Sequence, residues 1–364
     1  MHITKVSLSN FRNISKTEVN LGEGINIFFG DNGQGKTNFL ESIYFASMGR
    51  SHRTAKDKDL IKIDEKVAFA RVCVQNERHQ DYISFEIEKE SKKIAVNNTP
   101  IKKLGELFGH LLCVIFSPED LSLLKMGPQV RRRFMDMELC QLYPSYYYNL
   151  RMYYSVIRQR NNLLRAVKNT PSLMDTLDIW EEQMVAYGMP IMEARERFIK
   201  KISTIAEKNQ SEITGGKDRL EVIYKNHVDC DLFLDKLIKS RNLDIMRGFT
   251  SVGIHKDDVE FKINDKAAKN YASQGQQRTA ALSIKLAEID LIKEERGQTP
   301  VLLLDDLLSE LDATRQEYLM DKIKGLQSII TMTGAEGNFK KYISVEKAQT
   351  FKVEQGKLDK IHKM

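Results

Sequence analysis

One short segment near the N-terminus carries the most specific chemistry in the chain. Gly30-Asp31-Asn32-Gly33-Gln34-Gly35-Lys36-Thr37 fits the pattern GxxxxGK[ST]. In that pattern the glycines let backbone N–H groups curl around phosphate oxygens. The lysine reaches the β- and γ-phosphates, and the threonine hydroxyl faces Mg²⁺. Gly30, Asp31, Asn32, Gly33, Gln34, Gly35, Lys36 and Thr37 are therefore the expected nucleotide-binding loop, with Lys36 also a catalytic candidate. About one chain in a hundred of this length would match by accident at ordinary residue frequencies. A glycine-rich hairpin turn is the bland alternative. Against it, a β-rich run over 25–29 precedes the loop, and a helical pattern over 38–48 follows.

Such a loop needs an acidic residue to complete a metal site. Residues 301–304 read as a buried parallel strand, and Asp305 and Asp306 stand at its C-terminal end, where side chains face a phosphate crevice. Asp305 is the expected Mg²⁺ partner of Thr37, directly or through water. Asp306 is placed to polarise the attacking water. The competing reading is a pair of solvent-facing carboxylates that cap the next helix. A third segment, Ser273-Gln274-Gly275-Gln276, opens a long helical pattern over about 275–295. A hydroxyl, a glycine and a positive dipole end make a second anion-binding terminus. Alone, this string reads equally as a plain capped helix.

The elements that must position these groups follow from the pattern. Strand-like segments lie at 3–8, 14–20, 25–29, 67–75, 82–88, 93–96 and 111–116, and Asn97-Asn98 suggests a hairpin turn. Over about 121–212 helix formers dominate, with breaks expected at Gly127-Pro128, Tyr143-Pro144, Asn169-Thr170-Pro171 and Gly188-Met189-Pro190. Strand character returns at 220–224, 259–263, 301–304 and 328–333. The expected plan is an α/β domain in two parts, 1–118 and 219–364, split by a helical arm over 119–218.

The loop, the helix-opening segment and the acidic strand, in that order, resemble ABC-type ATPase heads. Ser273, Gln274, Gly275 and Gln276 correspond to the signature of that group, and Leu308-Ser309-Glu310-Leu311-Asp312 to its D-loop, with Ser309 and Asp312 as the polar members. The resemblance implies that the signature of one head closes over the ATP on another. With one copy of each piece, this chain would form a homodimer around two ATP and Mg²⁺. It departs from the transporter version in reading SQGQ rather than LSGGQ. It also carries Asp306 where a Glu is usual, and the shorter reach predicts slow hydrolysis, suited to a timed switch.

Nearly the whole chain is similar to the RecF family of bacterial recombinational-repair proteins. The resemblance runs through Leu8-Ser9-Asn10-Phe11-Arg12-Asn13, Gly49-Arg50-Ser51-His52-Arg53-Thr54 and Phe116-Ser117-Pro118-Glu119-Asp120-Leu121. It continues through Arg131-Arg132-Arg133-Phe134-Met135-Asp136, Gly253-Ile254-His255-Lys256-Asp257-Asp258, the signature Ser273-Gln274-Gly275-Gln276-Gln277-Arg278 and the acidic segment Asp305-Asp306-Leu307-Leu308-Ser309-Glu310-Leu311-Asp312. Ile254 and Lys256 depart from the usual Pro and Arg. The resemblance adds Arg12 to the ATP-binding set. It implies ATP-dependent DNA binding at single-strand gaps, recombinase loading with RecO-like and RecR-like partners, and roles in replication and the SOS response.

Charge distribution gives an independent pointer to nucleic acid. The net charge is +6, and no acidic residue occurs between Leu139 and Met174. Arg151, Arg158, Arg160, Arg165 and Lys168 lie there, interleaved with six tyrosines from Tyr143 to Tyr154. Basic groups neutralise phosphates and aromatic rings stack on unpaired bases. Ordinary helix packing and a solvated basic face explain the same pattern equally well. Arg131, Arg132 and Arg133 fall at a helix start behind Pro128, where cations are disfavoured. A bound phosphate would offset this, and so would an Arg132–Asp136 pair. His255 reads as structural.

Composition excludes several classes. With 41% hydrophobic and 29% charged residues the chain is globular rather than disordered. No apolar run approaches the roughly 18 residues of a membrane span, and no signal-peptide pattern opens the chain, so a soluble cytoplasmic protein is expected. Cys73, Cys113, Cys140 and Cys230 are too scattered for a metal site. A transport ATPase subunit and a small-molecule kinase remain as alternatives. The long arm and the non-transporter signature argue against the first, and the signature helix itself against the second.

Overall fold

The computed structural model describes residues 1–77, 79–334 and 348–361. These divide into two compact units, one from Met1–Asp120 and Lys285–Met364, the other from Leu121–Ile284.

The first unit holds two six-stranded sheets. An antiparallel sheet orders β1 (His2–Phe11), β2 (Ile14–Asn20), β4 (Val67–Gln75), β5 (Gln80–Glu88), β6 (Lys92–Val96) and β7 (Thr99–Pro100) as β2-β1-β4-β5-β6-β7. Its strands alternate buried and exposed positions, as in β5, because one face meets the core and the other meets water. Asn97 and Asn98 both take positive φ, giving the β6–β7 hairpin turn. The second sheet contains β3 (Ile25–Gly30), β8 (Cys113–Phe116), β12 (Val301–Asp305), β13 (Ser328–Thr333), β14 (Gln349–Glu354) and β15 (Lys357–Ile361). The order is β15-β14-β3-β13-β12-β8, parallel except for β15. Its central strands β3, β13 and β12 are mostly apolar and buried over most of their length because both faces are covered.

Helix α1 (Lys36–Met48) touches strands of both sheets and buries Phe39, Leu40, Ile43 and Phe45 completely. Being buried all round, it carries no polar stripe. This fixes the N-terminus of α1 at the C-terminal edge of β3, next to β13 and β12.

The second unit is built on three long helices, α3 (Pro128–Leu142), α4 (Pro144–Val167) and α5 (Leu177–Thr214), after the short α2 (Ser122–Lys125). A small antiparallel sheet, β11-β10-β9, joins β9 (Leu220–Lys225), β10 (Asp258–Ile263) and β11 (Lys266–Ala267). Helices α6 (Phe233–Arg247) and α7 (Ala268–Tyr271) and the first part of α8 (Gln274–Arg296) complete it. Strand β9 lies against α5 and β10 against α3. The small sheet therefore packs with the helices, and the second division falls between Ile284 and Lys285, not near residue 219.

The break expected at Gly188-Met189-Pro190 is absent. Helix α5 runs on for 38 residues with Pro190 inside it. An interior proline costs about 3 kcal/mol. Packing offsets that cost: Met184, Ile191, Met192, Phe198, Ile199 and Ile202 are buried along the helix. Gly188 also lets Phe233 approach so closely that an added Cβ would lie 2.7 Å from its ring.

Candidate nucleotide-binding site and basic arm

Gly30–Thr37 forms the turn between β3 and α1, with Gly30 at φ 153° and Gly35 at φ 116°. A Cβ on Gly30 would sit 2.3 Å from the Val353 carbonyl oxygen, and one on Gly35 would sit 2.7 Å from Asn13 Oδ1. Both positions thus exclude a side chain on steric and conformational grounds. The first-turn N–H groups of α1 have no partner within the helix, which leaves them for an anion. Lys36 Nζ donates to the carbonyls of Gly30 and Asp31, each at 2.7 Å. Burial lowers its pKa, opposed by the charges of Asp306, Asp305 and Asp31.

Asp305 ends β12 and accepts at Oδ1 from the Thr37 hydroxyl at 2.8 Å and from the Thr331 hydroxyl at 2.7 Å. Burial raises its pKa, and those two hydroxyls oppose the rise. Asp306 takes a left-handed φ of 49°. Its carboxylate accepts from the Thr333 N–H at 3.3 Å and lies 3.0 Å from the Thr333 hydroxyl, which also stands 3.1 Å from Asn32 Oδ1. Thr331 and Thr333 were not singled out from sequence. The signal was there: they alternate on β13, which runs beside β12 with Asp305 opposite Thr331.

These donors fit a nucleoside triphosphate with a divalent cation. The loop combines glycine backbone with a buried lysine, and two hard oxygen ligands, Thr37 Oγ1 and Asp305 Oδ1, already converge. Gly30 to Thr37 would hold the phosphates, Thr37 and Asp305 the cation. When bound, the cation supplies charge neutralisation at the transferring phosphate.

Arg12, also expected at the ATP site, is held by partners outside the loop. Its Nε and Nη2 donate to the fully buried Glu41 carboxylate, each at 2.9 Å, and its Nη1 donates to the Asp59 carbonyl. Arg53 and the Ser51 hydroxyl also reach Glu41. Those partners hold the Glu41 pKa down against burial. In this structure the Arg12 guanidinium ties the β1–β2 turn to α1.

The helix-opening segment has a local role visible in its hydrogen bonds. Ser273 Oγ accepts from the Gln276 N–H at 3.2 Å, and Gln276 Oε1 accepts from the Ser273 N–H at 3.0 Å. This is a reciprocal capping box, and it uses the serine hydroxyl. Gln276 Nε2 reaches Asp218 at 2.9 Å, while Gln274 is exposed. In the D-loop segment, Ser309 donates to the Asp306 carbonyl at 2.7 Å. Asp312 caps α9 (Ala313–Lys322) by accepting from the Arg315 N–H at 2.9 Å.

The model of the RecF/RecN/SMC N-terminal domain matches residues 2–357. A DNA replication and repair protein RecF of Clostridium tetani is 47% identical over 366 residues, spanning 98% of this chain and 99% of that protein. The chain belongs to the RecF family. The RecF protein of Lachnospira eligens is 46% identical over 98% of both chains. Among solved structures, the recombination mediator protein RecF-ATP in the RecFOR pathway superposes with a TM-score of 0.92 at 36% identity, covering 99% of this chain and 98% of that one. An Smc head domain from Pyrococcus furiosus, 16% identical with a TM-score of 0.56, shares the fold. The fold is the α/β ATPase head of the RecF and SMC proteins.

For this RecF-family member the basic arm needs correction residue by residue. Arg160 is fully buried, donating to Asp244 at 2.7 Å, Glu181 at 2.8 Å and Thr250 at 2.9 Å, so it is a core ion-pair residue and not a phosphate contact. Arg131 is buried too, with Nε and Nη2 on Asp258 at 2.6 and 2.9 Å and Nη1 on the Met126 carbonyl. Arg132 donates to the Asp257 carbonyl at 2.6 Å, and the pair expected with Asp136 is not formed because Asp136 binds Arg195 and Tyr146. Arg133 is exposed.

Arg151, Arg158 and Arg165 are exposed on α4 and recur every seven residues, about two helical turns, so they share one face. The tyrosines divide likewise. Tyr146 and Tyr153 are buried, while Tyr148 and Tyr154 are exposed. His255 is structural. Its Nδ1 lies 3.2 Å from the Tyr153 hydroxyl and its Nε2 3.1 Å from the Thr250 carbonyl, and burial lowers its pKa to about 4.

Proposed function

We propose that this chain is an ATP-gated DNA-binding switch of replication and recombinational repair. The observation that carries the reading is the Thr37–Asp305 contact, which joins the phosphate loop to the acidic strand as a cation site requires. ATP and Mg²⁺ bind at Gly30 to Thr37 and Asp305. The bound state is a homodimer in which Ser273 to Gln276 of one copy close over the nucleotide of the other, with Ser309 and Asp312 at the same junction.

The closed dimer holds DNA at single-strand gaps or at junctions of single and double strands. Arg133, Arg151, Arg158 and Arg165 serve as its phosphate contacts. Asp306 orients water for slow hydrolysis, which releases the DNA. Recombinase loading with RecR-like and RecO-like partners and SOS induction, in the cytoplasm, follow from this role. Among the described residues no helix is long and apolar enough to cross a membrane.

The test is fluorescence anisotropy of labelled gapped, duplex and single-stranded DNA with protein, Mg²⁺ and ATP, ADP or no nucleotide. Tight, salt-sensitive binding only with ATP, lost in Lys36→Met, is expected. Equal binding in every nucleotide state would remove the gating.

A further inference from the structure

The turn between β14 and β15 is a two-residue hairpin loop, with Gln355 at φ 48° and Gly356 at φ 77°. In such a turn the N–H groups of the two central residues have no partner within the hairpin and ordinarily face water. Here both go to a single residue of the phosphate loop. The Gln355 N–H donates to Gln34 Oε1 at 2.6 Å, and the Gly356 N–H donates to the Gln34 carbonyl at 2.9 Å.

The same turn is fitted closely against the β1–β2 turn. Gly356 is buried, and a Cβ there would lie 2.4 Å from the Asn13 carbonyl oxygen. Asn13 in turn donates from Nδ2 to the Gly33 carbonyl at 3.3 Å and accepts from Asn38 at 2.8 Å. Gln34 is thus held from the hairpin and Gly33 from Asn13. The base of the loop, at Gly30, abuts the Val353 carbonyl of the same hairpin.

We infer that the β14–β15 turn is a positioning latch for the phosphate loop, with Gln34, Gln355 and Gly356 as its residues. The inference rests on the nucleotide-binding reading of that loop. A loop that aims backbone N–H groups at phosphate must be ordered, and the latch orders it during folding rather than on binding. The same loop geometry serves the ground state and the transition state, so the latch acts on nucleotide affinity, and on KM more than kcat.

The test is a double-mutant cycle of Gln34→Ala and Gly356→Ala, read by titration with fluorescent ATP and Mg²⁺ and by amide hydrogen exchange of full-length protein. Each single change is expected to weaken nucleotide binding about tenfold, and the double change no further, because both break one device. In Gln34→Ala the Gln355 amide exchanges fast while the Gly356 amide, bonded to a backbone carbonyl, stays protected. Gln34→Glu keeps the acceptor and restores Gln355 protection.

Gly356→Asn tolerates the positive φ better, so it isolates the contact with Asn13 if the alanine variant folds poorly. Additive losses, or unchanged affinity in variants of a wild type that binds nucleotide, would overturn the latch. If wild type binds no nucleotide, the reading of the loop fails instead. Fast exchange of both turn amides in wild type would show separately that the latch does not form.

Discussion

Thr37 donates its hydroxyl to Asp305 across 2.8 Å, joining residues 268 positions apart in the chain. One belongs to the first turn of α1 and the other to the last position of β12, and the parallel sheet brings those ends together. Thr37→Val removes the hydroxyl and leaves Asp305 with Thr331. Nucleotide affinity in Mg²⁺ is expected to fall about tenfold or more, and affinity in EDTA to stay the same. Parallel titrations with and without the cation check this, and equal losses in both would assign Thr37 a purely structural role.

Asp306 sits beside Asp305 but uses different partners, Thr333 rather than Thr37 and Thr331. Asp306→Asn keeps its acceptor for the Thr333 N–H and removes its basicity. Single-turnover hydrolysis is expected to slow about 10²- to 10⁴-fold while nucleotide binding persists. Hydrolysis at the wild-type rate would show that another group orients the water.

Arg158 and Arg160 stand two residues apart and face opposite surroundings, the first exposed and the second buried among carboxylates. Arg160→Ala leaves Asp244 without its cation in the core, while Glu181 keeps Arg241, and is expected to cost about 3–5 kcal/mol in urea unfolding. The triple change of Arg151, Arg158 and Arg165 to Ala is expected to leave stability within about 0.5 kcal/mol of wild type. It should weaken DNA binding and flatten the log–log salt slope by up to about 3. An unchanged slope would move the DNA contact elsewhere.

Two partly buried groups give opposite pH signatures. Burial raises the Asp120 pKa from 3.8 to about 6, while the unfolded chain ionises it near 3.8. Between those values the folded state holds the extra proton, so stability falls as pH rises. Asp120→Asn, which keeps the acceptor for the Ser117 N–H, is expected to raise Tm at pH 7.5 and remove that fall.

His255 behaves the other way, because its pKa drops from 6.5 to about 4. Its contribution is present above pH 6.5 and is lost as pH falls toward 4. His255→Gln is expected to flatten the acid limb between those values in thermal scans. A limb as steep as that of wild type would mean that other groups set it.

The groups legible in the sequence were those whose meaning is local. Gly30 to Thr37, the apolar run ending in Asp305, the Ser273 helix start and the Asn97-Asn98 turn depend on contiguous spacing, and each formed where that spacing indicated. Tertiary structure decided everything that depends on a distant partner. Arg160 and Arg131 read as basic residues among basic residues until Asp244, Glu181 and Asp258 came from far along the chain to meet them.

Arg12 was claimed by Glu41, the small sheet by α5 and α3, and the hairpin amides by Gln34. Pro190 stayed inside α5 because long-range packing outweighed its local cost. A residue type and its spacing state what a side chain can do. Whether it is free to do so is set by desolvation and by which partners the fold delivers to it.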